Sequence, residues 1–304
     1  MTPAERALIF NRARARIVRG QTGLMRSTRD ELVVMLRSAQ RAIVDIMASQ
    51  PSDYQRWSLP PLEREVRRAL GEFGDQGGAR ISSAAARAWQ LGEDLVDAPI
   101  EAAGVRVAGV LPRLDTRSLT AMRSFMVSRI KDIGTEAANS ITSELGLVVI
   151  GARSPSEAIS AVTEILGEPS RARATSIVRT ELGRAFSSAG QSRMESAVEK
   201  LPGLKKQWRR SGKIHSRLHH DLADGQVVDV DQPFVLKPFG KPAVYLMFPR
   251  DPGAPAGETI NCGCESIPYM DSWDVSSPGR KPGSPLIDDS VSVNDVIPQR
   301  RAAA

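Results

Sequence analysis

Apolar residues recur every three or four positions along most of the chain before Pro202, which is the period of an α-helix. Thr28-Arg29-Asp30-Glu31 has the pattern of a capping box and predicts the start of one such helix. The apolar stripe that follows consists of Leu32, Met35, Leu36, Ala39, Ile43, Ile46 and Met47. Aromatic residues make up only 5% of the 304 residues, which is typical of helices packed through aliphatic side chains. The N-terminal half is therefore predicted to be mainly helical.

Glycine, proline and capping residues divide this part of the chain into predicted helices. Residues 1 to about 50 are predicted to form two helices that separate near Gly20-Gln21-Thr22-Gly23. Ser154-Pro155-Ser156-Glu157 predicts another helix start, with a capping serine and a proline in the first turn. Two further helices are predicted over 62–73 and 81–96, with a break at the glycines of 74–78 between them. A long helix is predicted from Thr116, and another over about 169–200.

The pattern changes at Pro202-Gly203, where short β-prone segments replace the helical period. These segments, separated by Gly, Pro and Asp, cover 226–230, 233–236 and 243–248. The predicted class is α+β: a mainly helical N-terminal half followed by a small α+β domain with a short, mostly antiparallel sheet. The predicted domains are 1–150, 151–273 and a Pro/Ser-rich tail, 274–304, whose composition buries too little apolar surface to order itself alone.

Positive charge is concentrated near the N-terminus. The whole chain has 41 Lys and Arg against 35 Asp and Glu, a formal charge of +6. Arginines on a helix can contact phosphate or an acidic protein surface, and a solvated helix face is the alternative. The candidates for nucleic-acid or partner contact are Arg12, Arg14, Arg16 and Arg19.

Two cysteines and three histidines form the candidate metal site. Cys262 and Cys264 are separated by one residue, a spacing that rarely allows a disulfide between them. With His215, His219 and His220 they could bind a structural zinc that fastens the C-terminal segment to the start of the sheet. The alternative is a pair of small buried thiols, and the sequence indicates no other cofactor.

Several further residues are predicted to hold the fold. Arg179 and Glu181 flank Thr180 on a helix, point in different directions, and are predicted to pin that helix to the sheet; exposure is the alternative. Trp208 is predicted to begin a polar strand and to anchor the core. The dipeptides Asp224-Gly225 and Asp251-Pro252 predict turns.

The order of these motifs resembles the phage Mu F-like head morphogenesis domain of minor head proteins, over about 154–268. That domain has an Arg-Thr-Glu helix, a Trp strand, a His segment before Asp-Gly-Gln, a Pro-Phe pair, a Pro-x-Asp-Pro turn and Asn-Cys-Arg-Cys. The counterparts here are Arg179-Thr180-Glu181, Trp208, 215–220, Asp224-Gly225-Gln226, Pro233-Phe234, Pro249 to Pro252, and Asn261-Cys262-Gly263-Cys264. Gly263 stands where the family usually has Arg, which puts in doubt any role that belongs to that basic residue.

The resemblance implies a structural minor head protein of a tailed bacteriophage, acting in capsid assembly and DNA packaging at the portal vertex. It implies the portal protein, other head proteins and genomic DNA as partners, several copies around the portal, and delivery with the genome in some phages. The expected location is the virion, and the host cytoplasm during assembly. No apolar run suits a signal peptide or a membrane span.

The sequence shows none of the common catalytic motifs, so the chain is predicted not to be an enzyme. The alternative is a metal-dependent nuclease that uses the histidines with Asp221 or Asp224, or an effector enzyme carried in the phage head. A nonspecific DNA-binding module is a third possibility, with affinity that falls steeply as salt rises.

Overall fold

The computed structural model describes residues 1–50, 58–107, 111–211 and 216–270. Its helices are α1 Pro3–Ala48, α2 Leu59–Ala102, α3 Arg117–Val149, α4 Pro155–Ile165, α5 Glu168–Ile177, α6 Gly183–Ala197, α7 Leu218–Leu222 and α8 Ala256–Thr259. A π-helical turn, Val178–Leu182, joins α5 to α6. The strands are β1 Leu204–Arg209, β2 Val227–Asp229, β3 Phe234–Leu236, β4 Val244–Leu246 and β5 Glu265–Met270.

The strands form two small antiparallel sheets. In the first, β1 lies between β2 and β5, and Lys206 on β1 is opposite Val228 on one side and Pro268 on the other. In the second, β3 pairs with β4, with Phe234 opposite Leu246. The predicted α+β class, with a helical N-terminal half and a short antiparallel sheet, is confirmed.

The N-terminal helix differs from its prediction because α1 continues without a break from Pro3 to Ala48. Its start is capped by Thr2, whose hydroxyl accepts from the Glu5 amide at 3.2 Å while the Glu5 carboxylate accepts from the Thr2 amide at 2.8 Å. Thr28 is fully buried inside the helix, and Glu31 pairs with Arg80. The predicted capping box at Thr28 is therefore wrong. Thr28 is packed inside the protein, and Glu31 forms an ion pair.

The predicted break at 74–78 is also absent, since α2 runs through these glycines. A glycine inside a helix costs about 1 kcal/mol relative to alanine, but close packing requires it here. A Cβ on Gly77 would lie 3.0 Å from both Ile130 and Leu32. The side chains of two other helices occupy the space that a larger residue would need, so tertiary packing outweighs helix propensity.

The other predicted elements are confirmed. Helix α3 follows Thr116, and Ser154 caps α4 with Glu157 as the reciprocal partner. The helix predicted over 169–200 is present as α5, the π-helical turn and α6. The three β-prone segments contain β2, β3 and β4, whereas Trp208 lies near the end of β1 and does not begin it.

Contacts between Cα atoms group the chain into two compact units. Unit 1 consists of 1–21, 88–115 and 183–304, and unit 2 of 22–87 and 116–182. The predicted domain boundaries stay a prediction, and the predicted tail 274–304 lies outside the described residues. No helix among the described residues has a stretch both long and apolar enough to cross a bilayer.

The described residues of unit 1 form two apolar cores. The first is built from α1, α2, α6 and the sheet and includes Phe10, Ile100, Met194 and Met270. The second gathers Trp208, Phe234, Leu246, Cys262 and Cys264 around the β segments. In unit 2, α3 packs on both α4 and α5. Helix α2 also passes close to α3 there, since a Cβ on Gly134 would lie 2.7 Å from the Leu70 carbonyl oxygen.

Candidate metal centre

Trp208 anchors the second core of unit 1. It is fully buried, and its ring meets those of His220 and Phe234 edge-on, with centroids 5.5 Å and 5.3 Å away. Its indole Nε1 donates to the His220 carbonyl at 3.1 Å. A buried indole N–H needs an acceptor, so this bond fixes α7 against β1 and orients His220.

The Asp224-Gly225 turn, which the sequence predicts, is confirmed. Gly225 has a φ of 89°, a conformation that favours glycine. The buried Asp224 carboxylate accepts from the Arg210 amide at 3.0 Å, and the Gly225 amide donates to the Trp208 carbonyl at 2.9 Å. The turn therefore ties α7 and β2 to the end of β1.

Gln226 extends this connection to the second sheet. Its side-chain oxygen accepts from the Val235 amide at 2.8 Å, and its nitrogen donates to the Val235 carbonyl at 3.3 Å. The side chain of Gln226 thus makes with Val235 of β3 the two hydrogen bonds that the backbone of a neighbouring strand would otherwise make.

Arg250 is a fully buried charge in this region, with none of its surface exposed. Its guanidinium donates to Glu265 at 2.7 Å, to the Cys262 carbonyl at 2.9 Å and to the Ser187 hydroxyl at 2.8 Å. Burial acts to lower the pKa of Arg250, but the charge of Glu265 opposes this and the pKa is raised. A Cβ on Gly183 would lie 2.6 Å from Arg250 Nε, so glycine is required where α6 begins.

Two turns orient the segment that carries the cysteines. Asp251 accepts from the Gly253 amide at 2.8 Å and from the Met247 amide at 2.9 Å, which confirms the predicted turn after the buried Pro249. Asn261 has a φ of 56°, in the left-handed region that asparagine tolerates better than most residues. It turns the chain directly before Cys262.

One imidazole nitrogen faces both sulfurs. His220 Nδ1 lies 3.6 Å from Cys262 Sγ and 3.7 Å from Cys264 Sγ. All three side chains are buried, with 2%, 3% and 2% of their surface exposed. Short helix α7 supplies the histidine, and the turn before β5 supplies both cysteines. The structure therefore brings together three of the five predicted metal ligands.

The other nitrogen of His220 is held by Glu258 on α8. The Nε2 atoms of His219 and His220 lie 2.6 Å and 2.8 Å from the same Glu258 oxygen. Burial acts to raise the pKa of Glu258, but the hydrogen bonds from the two histidines lower it overall. An ionised Glu258 accepts from Nε2–H of His220, which leaves the Nδ1 lone pair directed at the sulfurs.

The cysteine pair is polarised by its surroundings. A hydrogen bond from Cys264 lowers the pKa of Cys262 well below its ordinary value, and His220 and Arg250 act in the same direction. The same pairing, together with burial, raises the pKa of Cys264. A thiolate at Cys262 is the form that binds soft cations.

The residues of the predicted Arg-Thr-Glu motif lie in unit 2. Thr180 and Glu181 are buried in the π-helical turn, whereas Arg179 is exposed, as in the alternative to its predicted pinning role. His215 lies outside the described residues.

Arg14 differs from the other three arginines that were predicted to contact a partner. It is 3% exposed, and it donates to the Pro268 carbonyl at 2.6 Å and to Asn11 at 2.7 Å. Burial lowers its pKa to about 9. Arg14 therefore holds α1 against β5, which corrects the prediction, while Arg12, Arg16 and Arg19 are exposed.

Sequence reasoning missed two residues of the centre. Arg250 occupies the unspecified position of the Pro-x-Asp-Pro motif, and nothing in its neighbours signals burial. Glu258 lies in Ala256-Gly257-Glu258-Thr259, which reads as an ordinary polar turn. Both acquire their roles from residues brought close by the fold.

Comparisons with known proteins give two partial relatives. The chain is 40% identical over 104 residues to the uncharacterized protein YqbB of Bacillus subtilis, covering 34% of this chain and 32% of that protein. It is 36% identical over 104 residues to the NAD(+)--arginine ADP-ribosyltransferase EFV of Enterococcus faecalis, covering 34% of this chain and 20% of that protein. The matched segment thus spans about a third or less of either relative. No family model matches the chain, and no solved structure does.

Proposed function

We propose that the chain is a structural minor head protein of a tailed bacteriophage, of the Mu F-like kind, that acts in capsid assembly and DNA packaging at the portal vertex. The portal protein, other head proteins and the genome are its proposed partners, and the virion is its proposed location. The observation that carries the proposal is that most of the ordered motif residues in unit 1 serve to hold one buried scaffold.

The hydrogen bonds of these residues are directed inward. Trp208 donates to a carbonyl of α7, Asp224 caps the end of β1, and Asp251 closes the turn before α8. Groups that are fully used in holding backbone segments are poorly placed to bind and release a substrate. A scaffold that presents surfaces to other proteins suits this arrangement better than a reaction site does.

The exposed arginines of α1 offer one such surface. Arg12, Arg16 and Arg19 are spaced by four and three residues, so they share one face of the helix. Guanidinium groups bind phosphates and carboxylates in a forked geometry. This face suits DNA or an acidic surface of the portal.

The comparisons leave this proposal to rest on the motif order and the geometry. Neither relative has the name of a head protein. The transferase matches over only 20% of its length, and its name describes that whole protein.

The proposal is tested by co-expressing the full chain with the portal and major capsid proteins encoded beside its gene. We expect the chain to sediment with the assembled particles in a sucrose gradient. Arg12→Glu, Arg16→Glu and Arg19→Glu together should reduce this association at least tenfold, because they reverse the charge of the exposed face. Arg29→Glu, on the same helix and outside that face, is the control. A chain that stays at the top of the gradient, or adjoining genes that encode no head proteins, would contradict the proposal.

ADP-ribosyl transfer to arginine is the second candidate, favoured by the name of one relative. Incubating the full chain with labelled NAD⁺ and an arginine-rich acceptor protein tests it.

Nuclease activity is tested on plasmid DNA with divalent metal, against a His219→Ala, His220→Ala double variant. Label transfer, or cleavage lost in the double variant, would replace the structural proposal with an enzymatic one.

A further inference from the structure

The geometry points to a structural metal site in which His220 Nδ1, Cys262 Sγ and Cys264 Sγ bind one soft divalent cation such as Zn²⁺, with Glu258 orienting the histidine. This inference does not depend on the proposed function. It rests on the spacing of three buried donor atoms and on the tautomer that Glu258 imposes.

The distances match a tetrahedral zinc centre. Zinc lies about 2.0–2.1 Å from imidazole nitrogen and about 2.3 Å from thiolate sulfur, so a tetrahedral angle separates the two ligand atoms by about 3.6 Å. The observed separations from His220 Nδ1 are 3.6 Å and 3.7 Å. The ligand atoms of all three residues lie within 4.8 Å of one another. A cation fits between them without rearrangement of the backbone.

The nitrogen that faces the sulfurs is prepared for coordination. Because the Glu258 carboxylate accepts from Nε2 at 2.8 Å, the proton of a neutral His220 lies on Nε2 and Nδ1 has a free lone pair. Metal-binding histidines almost always donate their second nitrogen to a carboxylate, carbonyl or water in this way. Arg250 adds a positive charge near the cysteines by donating to the Cys262 carbonyl, which favours thiolate.

A second group of possible ligands, His219, His220 and Glu258, does not fit a cation. Nitrogen and oxygen ligands of one tetrahedral zinc would be about 3.4 Å apart. The observed separations of 2.6 Å and 2.8 Å are those of direct hydrogen bonds. This group is therefore the support that fixes His220, and the cation belongs on the side of the cysteines.

Burial indicates a structural role for the cation. Three protein ligands leave the fourth tetrahedral position to water, but the three ligands here are 2% to 3% exposed, which closes the centre to a substrate. The cation would join α7 to the turn before β5 across 42 residues of sequence. A bond of this kind stabilises a region whose strands are only three to six residues long.

Metal content gives the first test. The full chain is purified under a thiol reductant, dialysed against ZnCl₂ and then metal-free buffer, and analysed by mass spectrometry of the elements. We expect about one zinc per chain, the stoichiometry of a mononuclear site. Cys262→Ser, Cys264→Ser and His220→Asn should lose the metal. Glu258→Gln should bind zinc about 10- to 100-fold more weakly, which is the usual loss when the carboxylate that orients a metal-binding histidine is removed.

His219→Gln is the matched control, because it lies beside His220, contacts the same carboxylate and does not face the sulfurs. It should retain zinc. Zinc that persists in the Cys262→Ser, Cys264→Ser double variant, or that is lost equally in His219→Gln and His220→Asn, would overturn the assignment.

The unaltered chain provides a test that does not depend on the folding of variants. Replacing zinc with Co²⁺ should give the thiolate-to-cobalt absorption in the near ultraviolet and the intense visible bands of tetrahedral cobalt. Removing the metal with a strong chelator should lower the melting temperature, and ZnCl₂ should restore it. A reduced, folded chain that takes up neither cation, with a melting temperature unaffected by chelator, would show that the three side chains are only hydrogen-bonded.

Discussion

Units 1 and 2 each contain an Arg–Glu pair that joins two separate segments of the chain, but the two pairs differ in their exposure to water. In unit 1 the side chains of Arg250 and Glu265 are 0% and 10% exposed. In unit 2 those of Arg80 and Glu31 are 22% and 47% exposed. A buried charge depends on its partners for the solvation that water would otherwise give, whereas an exposed pair exchanges protein contacts for water at little cost.

The difference extends beyond these pairs. Unit 2 depends on aliphatic packing between long helices, with glycine at close crossings such as Gly77 and Gly134. The β region of unit 1 has short strands and a thin core, and it uses a buried polar network to join them. Substitutions of the same chemical kind should therefore have unequal effects in the two units.

The largest expected effect follows from Arg250→Met. The change keeps much of the side-chain volume but leaves Glu265 buried without its cation, a loss of about 3–5 kcal/mol in the free energy of unfolding. Urea unfolding followed by tryptophan fluorescence measures it, with Trp57 and Trp273 replaced by Phe so that only Trp208 and Trp89, both in unit 1, report.

Arg80→Ala is the matched control in unit 2. It removes the arginine of an Arg–Glu pair at the surface, so the free energy of unfolding should fall by less than about 1 kcal/mol. Hydrogen exchange, read separately for α3 in unit 2 and β5 in unit 1, shows which unit each change affects. Equal losses from Arg250→Met and Arg80→Ala would contradict the contrast between the units.

Gly183→Ala should have the next largest effect. The added Cβ would lie 2.6 Å, 2.7 Å and 2.9 Å from Nε, Cζ and Cδ of Arg250. Since three hydrogen bonds hold that side chain, it cannot move aside freely, and overpacking of this kind costs about 1–3 kcal/mol.

The control for this change is Gly146→Ala in α3, where a Cβ would meet no heavy atom within 4 Å. That substitution should leave stability unchanged or raise it by up to about 1 kcal/mol, because alanine is the better helix former. Gly183→Ala should also cost less in the background of Arg250→Met, since the clash is with Arg250. Additive losses in the double variant would exclude that clash as the cause.

The sequence predicted the elements whose signals are local. The period of apolar residues identified α3, and Ser154 with Glu157 identified the start of α4, because a cap forms from neighbours in sequence. The turn at Asp224-Gly225 was predicted for the same reason. The break expected at 74–78 was wrong because Gly77 lies at a close helix crossing. The break expected at Gly20 to Gly23 was also wrong, since α1 continues through both glycines.

The residues of the candidate metal centre were predicted only in part, since its geometry depends on the fold. Residue type alone indicated His219, His220 and the cysteines, but it could not show that His220 faces the sulfurs while His219 contacts only Glu258. Charged residues are usually exposed, so the burial of Arg14 and Arg250 has no local signal. Their acceptors, carbonyls of Pro268 and Cys262, are distant in sequence.

A pH-dependent effect concerns another buried charge of unit 1, Lys206. Burial lowers its pKa from 10.5 to about 8, although Glu195, Asp231 and Asp251 oppose the shift. Its Nζ donates to the Met247 carbonyl at 2.8 Å and to Gln191 at 3.2 Å. In the window between these two pKa values the unfolded chain binds more protons than the folded chain at this position.

Stability contributed by Lys206 should therefore rise as the pH increases from about 8 to 10.5, and it should be constant below that window. Lys206→Met lacks this titrating group. The free energy of unfolding of the unaltered chain should therefore rise relative to that of Lys206→Met across this range. Lys131→Met, which removes a half-exposed lysine of unit 2, is the comparison variant over the same pH values. A flat difference for Lys206→Met would mean that Lys206 keeps its ordinary pKa, and the contrast in buried charge between the units would then rest on Arg250 and Arg14.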